Sequence, residues 1–427
     1  MKLLTAALAV ALHATAVLAQ LPAERRGDSL VLTRRAAIIA ALANNPQLEV
    51  AREQTAQARA RRVSGVAVPD PTFTYSLDQQ PGFLQLGNAG ARNAAVGIAV
   101  PFPDKFRLRN AIGLADVHAF EFAYTGLRQQ LASQTSRDYD SLLVALRHRG
   151  DFMLTRDLAE DFLRKTQARF EGGTVAKLDV IRARVALAQA ENDLIGGARD
   201  VSIAVDALDR LIGLPLGTPI TVADSLAVPS ALPPPDSLER MALAARPELG
   251  NLAAQQAGAR ATTTLAREFW LPDFTLSAQR DYGPNGSGAL FSAGVALPLP
   301  VFYWQHSKGE IAGARHRELE LNASYRDLEA QIAQDVRATY ATASTALRQA
   351  IYIRDQLLPA AREAYRVASV SYGLGGSSAL DVLDARRSLL DAQRQYTDAL
   401  AAASSSRSDL ARALGTPLER FDARSTP

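Results

Sequence analysis

The strongest constraint on this chain is that it is written twice. Asn45-Pro46-Gln47-Leu48 returns as Arg246-Pro247-Glu248-Leu249, and Val68-Pro69-Asp70-Pro71-Thr72-Phe73 has a counterpart in Leu271-Pro272-Asp273-Phe274-Thr275. Val100-Pro101-Phe102-Pro103 returns as Leu297-Pro298-Leu299-Pro300, Leu178-Asp179-Val180-Ile181 as Leu380-Asp381-Val382-Leu383, and Leu211-Ile212-Gly213-Leu214-Pro215-Leu216 as Leu414-Gly415-Thr416-Pro417-Leu418. These matches keep their order at a spacing of about 200 residues, far too long for a solenoid repeat, and imply a duplicated domain. The copies are expected at residues 20–225 and 237–427, joined by the proline-rich stretch 226–236.

Each copy has the same internal grammar. A helical segment (33–66 and 236–268) leads into two runs of alternating apolar and small or polar residues. Period-two alternation over eight to ten residues predicts strands, here 71–78 with 93–101 and 272–280 with 289–298. Gly-rich polar loops separate them. A strand pair with one apolar face and one small or polar face suits a barrel wall between lipid and water. Then comes a stretch from Asp104 to Leu214 with no proline, matched by Val301 to Thr416 with Pro359 alone. It reads as a helix over 104–171, a tip at 170–179 and a return helix to about 212, and then as 301–372, a tip at 372–384 and 377–414. At 1.5 Å per residue the outgoing helix spans about 100 Å and the return helix about 55 Å. The hairpin is lopsided, so the segment 33–66 is expected to stack end to end with the return helix and fill the gap. Pro359 is expected at a bend or a poorly paired turn.

Composition agrees with long helices. There are 79 alanines, and aromatic residues make up only 6% of the chain; alanine is the best helix former and buries little area. The absence of cysteine excludes a disulfide framework, a thiolate metal site, a cysteine nucleophile and an acylated N-terminal cysteine, hence a lipid anchor of that kind. The 47 basic residues are nearly balanced by 44 acidic ones, so the charge does not point to nucleic acid. Met1-Lys2, the apolar run Leu3–Leu12 and Val17-Leu18-Ala19 form a three-part export signal over residues 1–19. After it no run of eighteen apolar residues occurs, so no membrane-spanning helix is expected. The histidines beyond the leader, His118, His148, His306 and His316, are not paired at metal-ligand spacing, and HExxH is absent. The chain reads as a non-enzyme without a cofactor or metal site.

Four strands cannot close a barrel, and open edges are not tolerated in lipid. The chain must therefore assemble; two copies would give eight strands, three twelve and four sixteen. Trp270, Tyr303 and Trp304 flank the strands on the helix side, where a membrane-interface belt would lie. Lys105, Arg107 and Arg109 follow the second strand and are candidates for lipid headgroups. Ordinary packing at a strand–helix junction competes with both readings.

The duplicated halves, the strand-ending Pro101-Phe102-Pro103 and Pro298-Leu299-Pro300, and the two turn motifs from Arg169 to Val180 and from Ser371 to Asp384 carry a resemblance. Over essentially the whole chain after the leader, the sequence resembles the TolC-like outer-membrane efflux proteins. The segments Leu32–Leu48 and Leu271–Arg315 look most like the heavy-metal branch. The resemblance implies a mainly α protein with a small β part: a homotrimer whose twelve-stranded outer-membrane β-barrel, four strands per protomer, is continued by a long α-helical barrel in the periplasm. It implies the exit channel of a tripartite efflux pump, working with a periplasmic adaptor and an inner-membrane RND-type pump. Drug, solvent or type I secreted substrates are the alternative to heavy-metal cations, and a periplasmic coiled-coil scaffold is the alternative to a channel.

The resemblance further implies that the tips close the channel and meet the adaptor. Carried onto this sequence, the gate residues are Asp381, Asp384 and Tyr372, with Asp179 and Arg182 at the equivalent places in the first copy. The adaptor-contact residues are Gly172, Gly173 and Thr174 in the first tip and Gly375, Gly376 and Ser377 in the second. Three copies of two carboxylates near one axis would attract cations and repel each other. Arg182 stands where the other copy has Asp384, which suggests an Arg182–carboxylate tie between hairpins. Ser377 departs from relatives with a basic residue there. Asp381 also lies in the first turn of a helix, where an aspartate is favoured simply by the dipole.

Overall fold

The computed structural model describes residues 25–26, 29–78, 91–229, 232–282, 289–299, 301–302, 305 and 307–416. The leader and the loops 79–90 and 283–288 fall outside the described residues. The described chain folds into two compact units, one of residues 1–49, 126–246 and 330–427 and one of residues 50–125 and 247–329. Each unit takes part of both sequence copies. Among the described residues no helix is long and apolar enough to cross a membrane.

The elements are β1 (Arg25–Arg26), β2 (Ser29–Leu32), α1 (Arg34–Asn44), α2 (Pro46–Gly65), β3 (Thr72–Asp78), β4 (Ala91–Val100), α3 (Pro103–Glu171), α4 (Lys177–Ile212) and β5 (Ile220–Val222). The second copy supplies α5 (Leu238–Ala245), α6 (Pro247–Arg267), β6 (Phe274–Tyr282), β7 (Ala289–Ala296), α7 (Ser307–Tyr352), α8 (Leu358–Gly373) and α9 (Ala379–Leu414).

In the unit of residues 50–125 and 247–329, the four long strands form one antiparallel sheet in the order β3-β4-β6-β7. The register aligns Phe73, Val96, Ala278 and Ala293 across the sheet, and Ile98, Leu276 and Val295. Since side chains alternate between faces, one face carries Phe73, Tyr75, Val96, Ile98, Phe274, Leu276, Phe291 and Val295. The other carries Thr72, Thr74, Ser76, Asn93, Gly97, Thr275, Ser277, Gln279, Ser292 and Gly294. The apolar face is solvent-exposed, with Phe73, Phe291 and Val295 all more than 60% accessible. β3 and β7 are open edges.

The helices of this unit pack at small residues. Asn251 of α6 donates to the Ala119 carbonyl of α3 at 2.6 Å. A Cβ at Gly250 would lie 2.4 Å from the Phe122 ring, and one at Gly113 would lie 2.9 Å from Arg62. Lys105 and Arg107 are tied within the chain: Lys105 pairs with Asp273 at 2.8 Å, and exposed Arg107 pairs with Asp104 at 2.7 Å, one turn away.

The other unit holds most of the core. Leu32, Ala37, Tyr139, Leu142, Leu208 and Ile212 are buried together. The Tyr139 hydroxyl donates to Asp224 at 2.9 Å and bonds the Leu32 carbonyl at 3.0 Å, and the Arg34 amide donates to the same Asp224 carboxylate at 2.8 Å. Arg34 also forms an ion pair with buried Asp140, which accepts from Ser404 at 2.7 Å. Here β2 pairs with β1 and, in parallel, with β5 just before the interdomain join. This small sheet was not anticipated.

The helix expected over 33–66 is two helices, broken at Asn45-Pro46; that over 236–268 is broken at Arg246-Pro247. The residue before proline is pushed out of the α region, and Asn45 and Arg246 are indeed extended, with ψ of 123° and 117°. Each break receives the end of a return helix. The Asn45 amide group donates to the Leu211 carbonyl at 3.2 Å. The left-handed Gly213 (φ 80°) lies so close that a Cβ would be 3.3 Å from the Asn44 carbonyl. Gly415 (φ 66°) repeats the arrangement, 3.0 Å from the Ala245 carbonyl. Within this unit the repeated Asn/Arg-Pro and Gly motifs are therefore two sides of one joint. The second long helix starts at Ser307 rather than 301 and is interrupted by a π-helical turn at Ile353–Leu357, just before Pro359 at the start of α8. The wider turn absorbs the missing proline N–H.

Candidate functional site at the hairpin tips

Both tips belong to the unit of residues 1–49, 126–246 and 330–427. At the first, α3 closes with amides of Gly172 and Gly173 donating to Ala168 and Phe170 carbonyls at 3.1 and 2.9 Å. Gly173 takes φ of 73°, a left-handed conformation that costs glycine little. Thr174 reaches back with its amide and hydroxyl to the Arg169 carbonyl at 3.0 and 2.9 Å. The second tip turns the same way: Gly375 has φ of 82°, the Gly376 amide donates to the Ser371 carbonyl at 2.8 Å, and the Ser377 hydroxyl donates to Ala368 at 3.1 Å. Gly172, Gly173, Thr174, Gly375 and Gly376 are exposed and Ser377 is half-buried.

The return helices start differently. Ser378 caps α9: its hydroxyl accepts from the Asp381 amide at 3.2 Å, while its own amide and hydroxyl donate to the Asp381 carboxylate at 2.8 Å each. This reciprocal capping box holds the Asp381 carboxyl below the usual range through the Ser378 amide and hydroxyl. The equivalent position in the first copy is Ala176, which has no side chain to cap with. Asp179 there pairs at 3.5 Å with Arg182, one turn along the same helix. In place of the tie expected from Arg182 to the other hairpin, Arg182 makes an i,i+3 pair within its own helix. Asp384 is exposed and makes no hydrogen bond or ion pair among the described residues.

At the tips themselves, the two hairpins are joined by Arg169, which lies outside the expected gate and adaptor-contact residues. Arg169, in the last turn of α3, donates to the Tyr372 carbonyl at 2.5 Å, and its guanidinium lies 4.4 Å from the Tyr372 ring centroid. Tyr372 is 3% exposed. Its ring tilts against Phe162 at 5.6 Å, its hydroxyl donates to Thr166 at 3.4 Å, and Ala183, Ala379 and Val382 close the cluster. Phe170 holds the position of Tyr372 in the first copy but is exposed. Equal places in the repeat therefore have opposite roles, and no signal in one sequence separates them. Behind the tip, Arg386 is buried with two guanidinium nitrogens unpartnered, and burial lowers its pKa.

Trp270 lies in the unit that contains the long sheet, in a turn that leads into β6, and is 61% exposed. Tyr303 and Trp304 lie outside the described residues.

A family model described as outer membrane efflux protein matches residues 37–214 and 238–416, one match to each copy. The chain is 25% identical over 277 residues to the cobalt-zinc-cadmium resistance protein CzcC of Cupriavidus metallidurans, covering 64% of this chain and 65% of that protein. It is 26% identical over 377 residues to the pyoverdine export outer membrane protein OpmQ of Pseudomonas aeruginosa, covering 83% of this chain and 78% of that one. Its fold matches the outer-membrane channel OprN with a TM-score of 0.77 at 21% identity, over 90% of this chain and 89% of the other. The match to CusC has a TM-score of 0.77 at 19% identity, over 90% and 92%. With both copies matched, a four-stranded sheet of segregated faces and paired helical hairpins, this chain belongs to the outer membrane efflux protein family.

Proposed function

We propose that this chain is the protomer of a homotrimeric outer-membrane exit channel of a tripartite efflux pump. The observation that carries the reading is the sheet. One face is apolar, the other small and polar, and both edges are unpaired. Only closure with further copies satisfies those edges in lipid. Adjacent strands all run antiparallel, so β7 of one copy meets β3 of the next antiparallel too, and three copies give twelve strands. Export by a leader at residues 1–19 delivers the chain, the helices stand in the periplasm, and Trp270, Tyr303 and Trp304 mark the periplasmic interface of the outer membrane. The tips Gly172–Thr174 and Gly375–Ser377 receive the periplasmic adaptor, which links the channel to an inner-membrane RND-type pump.

The channel is passive and its substrate is a heavy-metal cation. The likeness to a cobalt-zinc-cadmium resistance protein supports that class, and selection of the ion belongs to the pump. A second reading, export of an organic compound, is favoured by the longer match to a pyoverdine exporter. A deletion strain separates them: sensitivity to cobalt, zinc, cadmium, copper or silver supports the first, and sensitivity to organic antimicrobials alone supports the second. Loss of neither resistance sinks the efflux reading.

Asp384 is the foremost gate residue, because it is exposed and no residue among the described ones pairs with it; Asp381, Tyr372, Asp179 and Arg182 flank it. Three Asp384 carboxylates around one axis hold a cation-attracting constriction. Replacing Asp381 and Asp384 by Ala is expected to raise single-channel conductance in planar bilayers and to weaken cation selectivity. Unchanged conductance would remove the gate assignment.

A further inference from the structure

We propose that Arg92 and Arg280 form a phosphate clamp for a lipid headgroup on the outer rim of the barrel wall. The inference rests on the outer-membrane reading above. The register sets Arg92 opposite Tyr282 and Arg280 opposite Ala94, so the two arginines are diagonal neighbours on adjacent strands. Diagonal pairs of this kind stand about 7–8 Å apart and share a face. The shared face is the apolar one, with Leu77, Tyr282 and Phe291 around them. Both side chains are exposed. Arg280 is held in place by two rings, with its guanidinium 4.8 Å from the Tyr282 centroid and 5.0 Å from that of Phe291. Arg92 has no hydrogen-bond or ion-pair partner among the described residues.

The acids at this end of the sheet are on the opposite face. Asp78 accepts from Asn93 at 2.5 Å and Asp281 from Gln279, and all four of these residues belong to the small, polar side. The connecting segments 79–90 and 283–288 contain no charged residue in their sequence. Charge is therefore sorted by face: carboxylates toward the lumen, guanidinium groups toward lipid. Arginine on a lipid face is costly at the bilayer midplane and nearly free at the interface. β4 runs from Ala91 to Val100 and on to α3, so Arg92, and Arg280 near it in the register, are at the strand ends remote from the helices. With the helices in the periplasm, that end meets the outer leaflet. A guanidinium pair without carboxylates matches a phosphate, which arginine binds in a bidentate manner. The aromatic rings would lie along the sugar or acyl part of the same molecule.

The test uses assembled protein in detergent and follows thermal unfolding. The probes are a bisphosphorylated lipid A, the same lipid with its phosphates removed, and inorganic phosphate. The wild type is expected to shift upward in melting temperature with the phosphorylated lipid only. Arg92→Gln with Arg280→Gln loses that shift, and Arg92→Lys with Arg280→Lys, which keeps the charge but not the bidentate fork, retains only part of it. An equal shift with the dephosphorylated lipid, a shift with inorganic phosphate, an unchanged shift in the Gln variant or no shift in the wild type each overturns the clamp. Conductance of the same preparation in planar bilayers reads the channel function separately. A conducting protein with no phosphate-dependent shift overturns the clamp alone.

Discussion

Two residues at the tips illustrate how little a repeat says about role. Asp179 and Asp381 stand at the same place in the two copies, yet only Asp381 has a capping serine before it, where the first copy has Ala176. The same holds for the aromatic pair: Tyr372 is buried under Arg169 and Phe170 is exposed. A charge-assisted hydrogen bond and a cation–π contact together are worth roughly 1–3 kcal/mol. Arg169→Ala is therefore expected to loosen the second hairpin from the first and to raise channel conductance, while Arg169→Lys recovers part of the effect. Identical conductance in all three proteins would show that Arg169 is no latch. Asp209 is fully buried at the end of α4. Burial raises its carboxyl to about 6, although the amides of Thr218 and Gly217 donate to it, and nearby Asp206 adds to the rise. One of its oxygens has no partner. An acid whose pKa rises on folding binds its proton more tightly when folded, so stability should fall as pH rises from about 4 to about 6 and then level off. Asp209→Asn should flatten that part of the melting-temperature profile; an unchanged profile would refute the assignment.

At the scale of elements, periodicity and punctuation carried most of the information. Period-two alternation predicted strands at 71–78, 93–101, 272–280 and 289–298, and strands run at 72–78, 91–100, 274–282 and 289–296. The long proline-free stretch contains α3 over 69 residues and α4 over 36. Helical periodicity runs straight across Asn45-Pro46 and Arg246-Pro247, and only the pre-proline restriction marks the breaks there. The β2–β5 pairing was illegible because strands of three or four residues carry no period, and their partners are almost 200 residues apart. Adjacent glycines in α4 test the packing directly. Nothing lies within 4 Å of a Cβ at Gly196, whereas one at Gly197 would be 2.7 Å from the Phe152 ring. Gly196→Ala is expected to stabilise by up to about 1 kcal/mol through helix propensity. Gly197→Ala is expected to destabilise by roughly 1–3 kcal/mol through overpacking. Denaturant midpoints of the two variants should move in opposite directions; movement in the same direction would contradict the packing at Phe152.

For the whole molecule, the open edges β3 and β7 are decisive. The chain has no cysteine, so a single cysteine on β3 and a series along β7 give a clean crosslinking background. The edges should join one copy to the next, producing a covalent ladder that closes at three chains, and the same protein should remain trimeric in detergent. A ladder ending at two or four would replace the trimer, and a soluble monomer without detergent would remove the barrel.

By itself the sequence determined the duplication, the strand and helix periods, the segregation of apolar from polar positions along each strand, and the placing of the tips. These are local properties, written in residue spacing and in the backbone preferences of glycine and proline. Tertiary structure alone decided which member of each repeated pair does the work. Asp381 caps a helix while Asp384 has no partner among the described residues, Arg169 rather than Arg182 reaches the other hairpin, and Lys105 pairs with Asp273. Those outcomes depend on which side chains from distant segments come within a few ångströms of each other. Two copies with equal spacing leave that undetermined until the chain has packed.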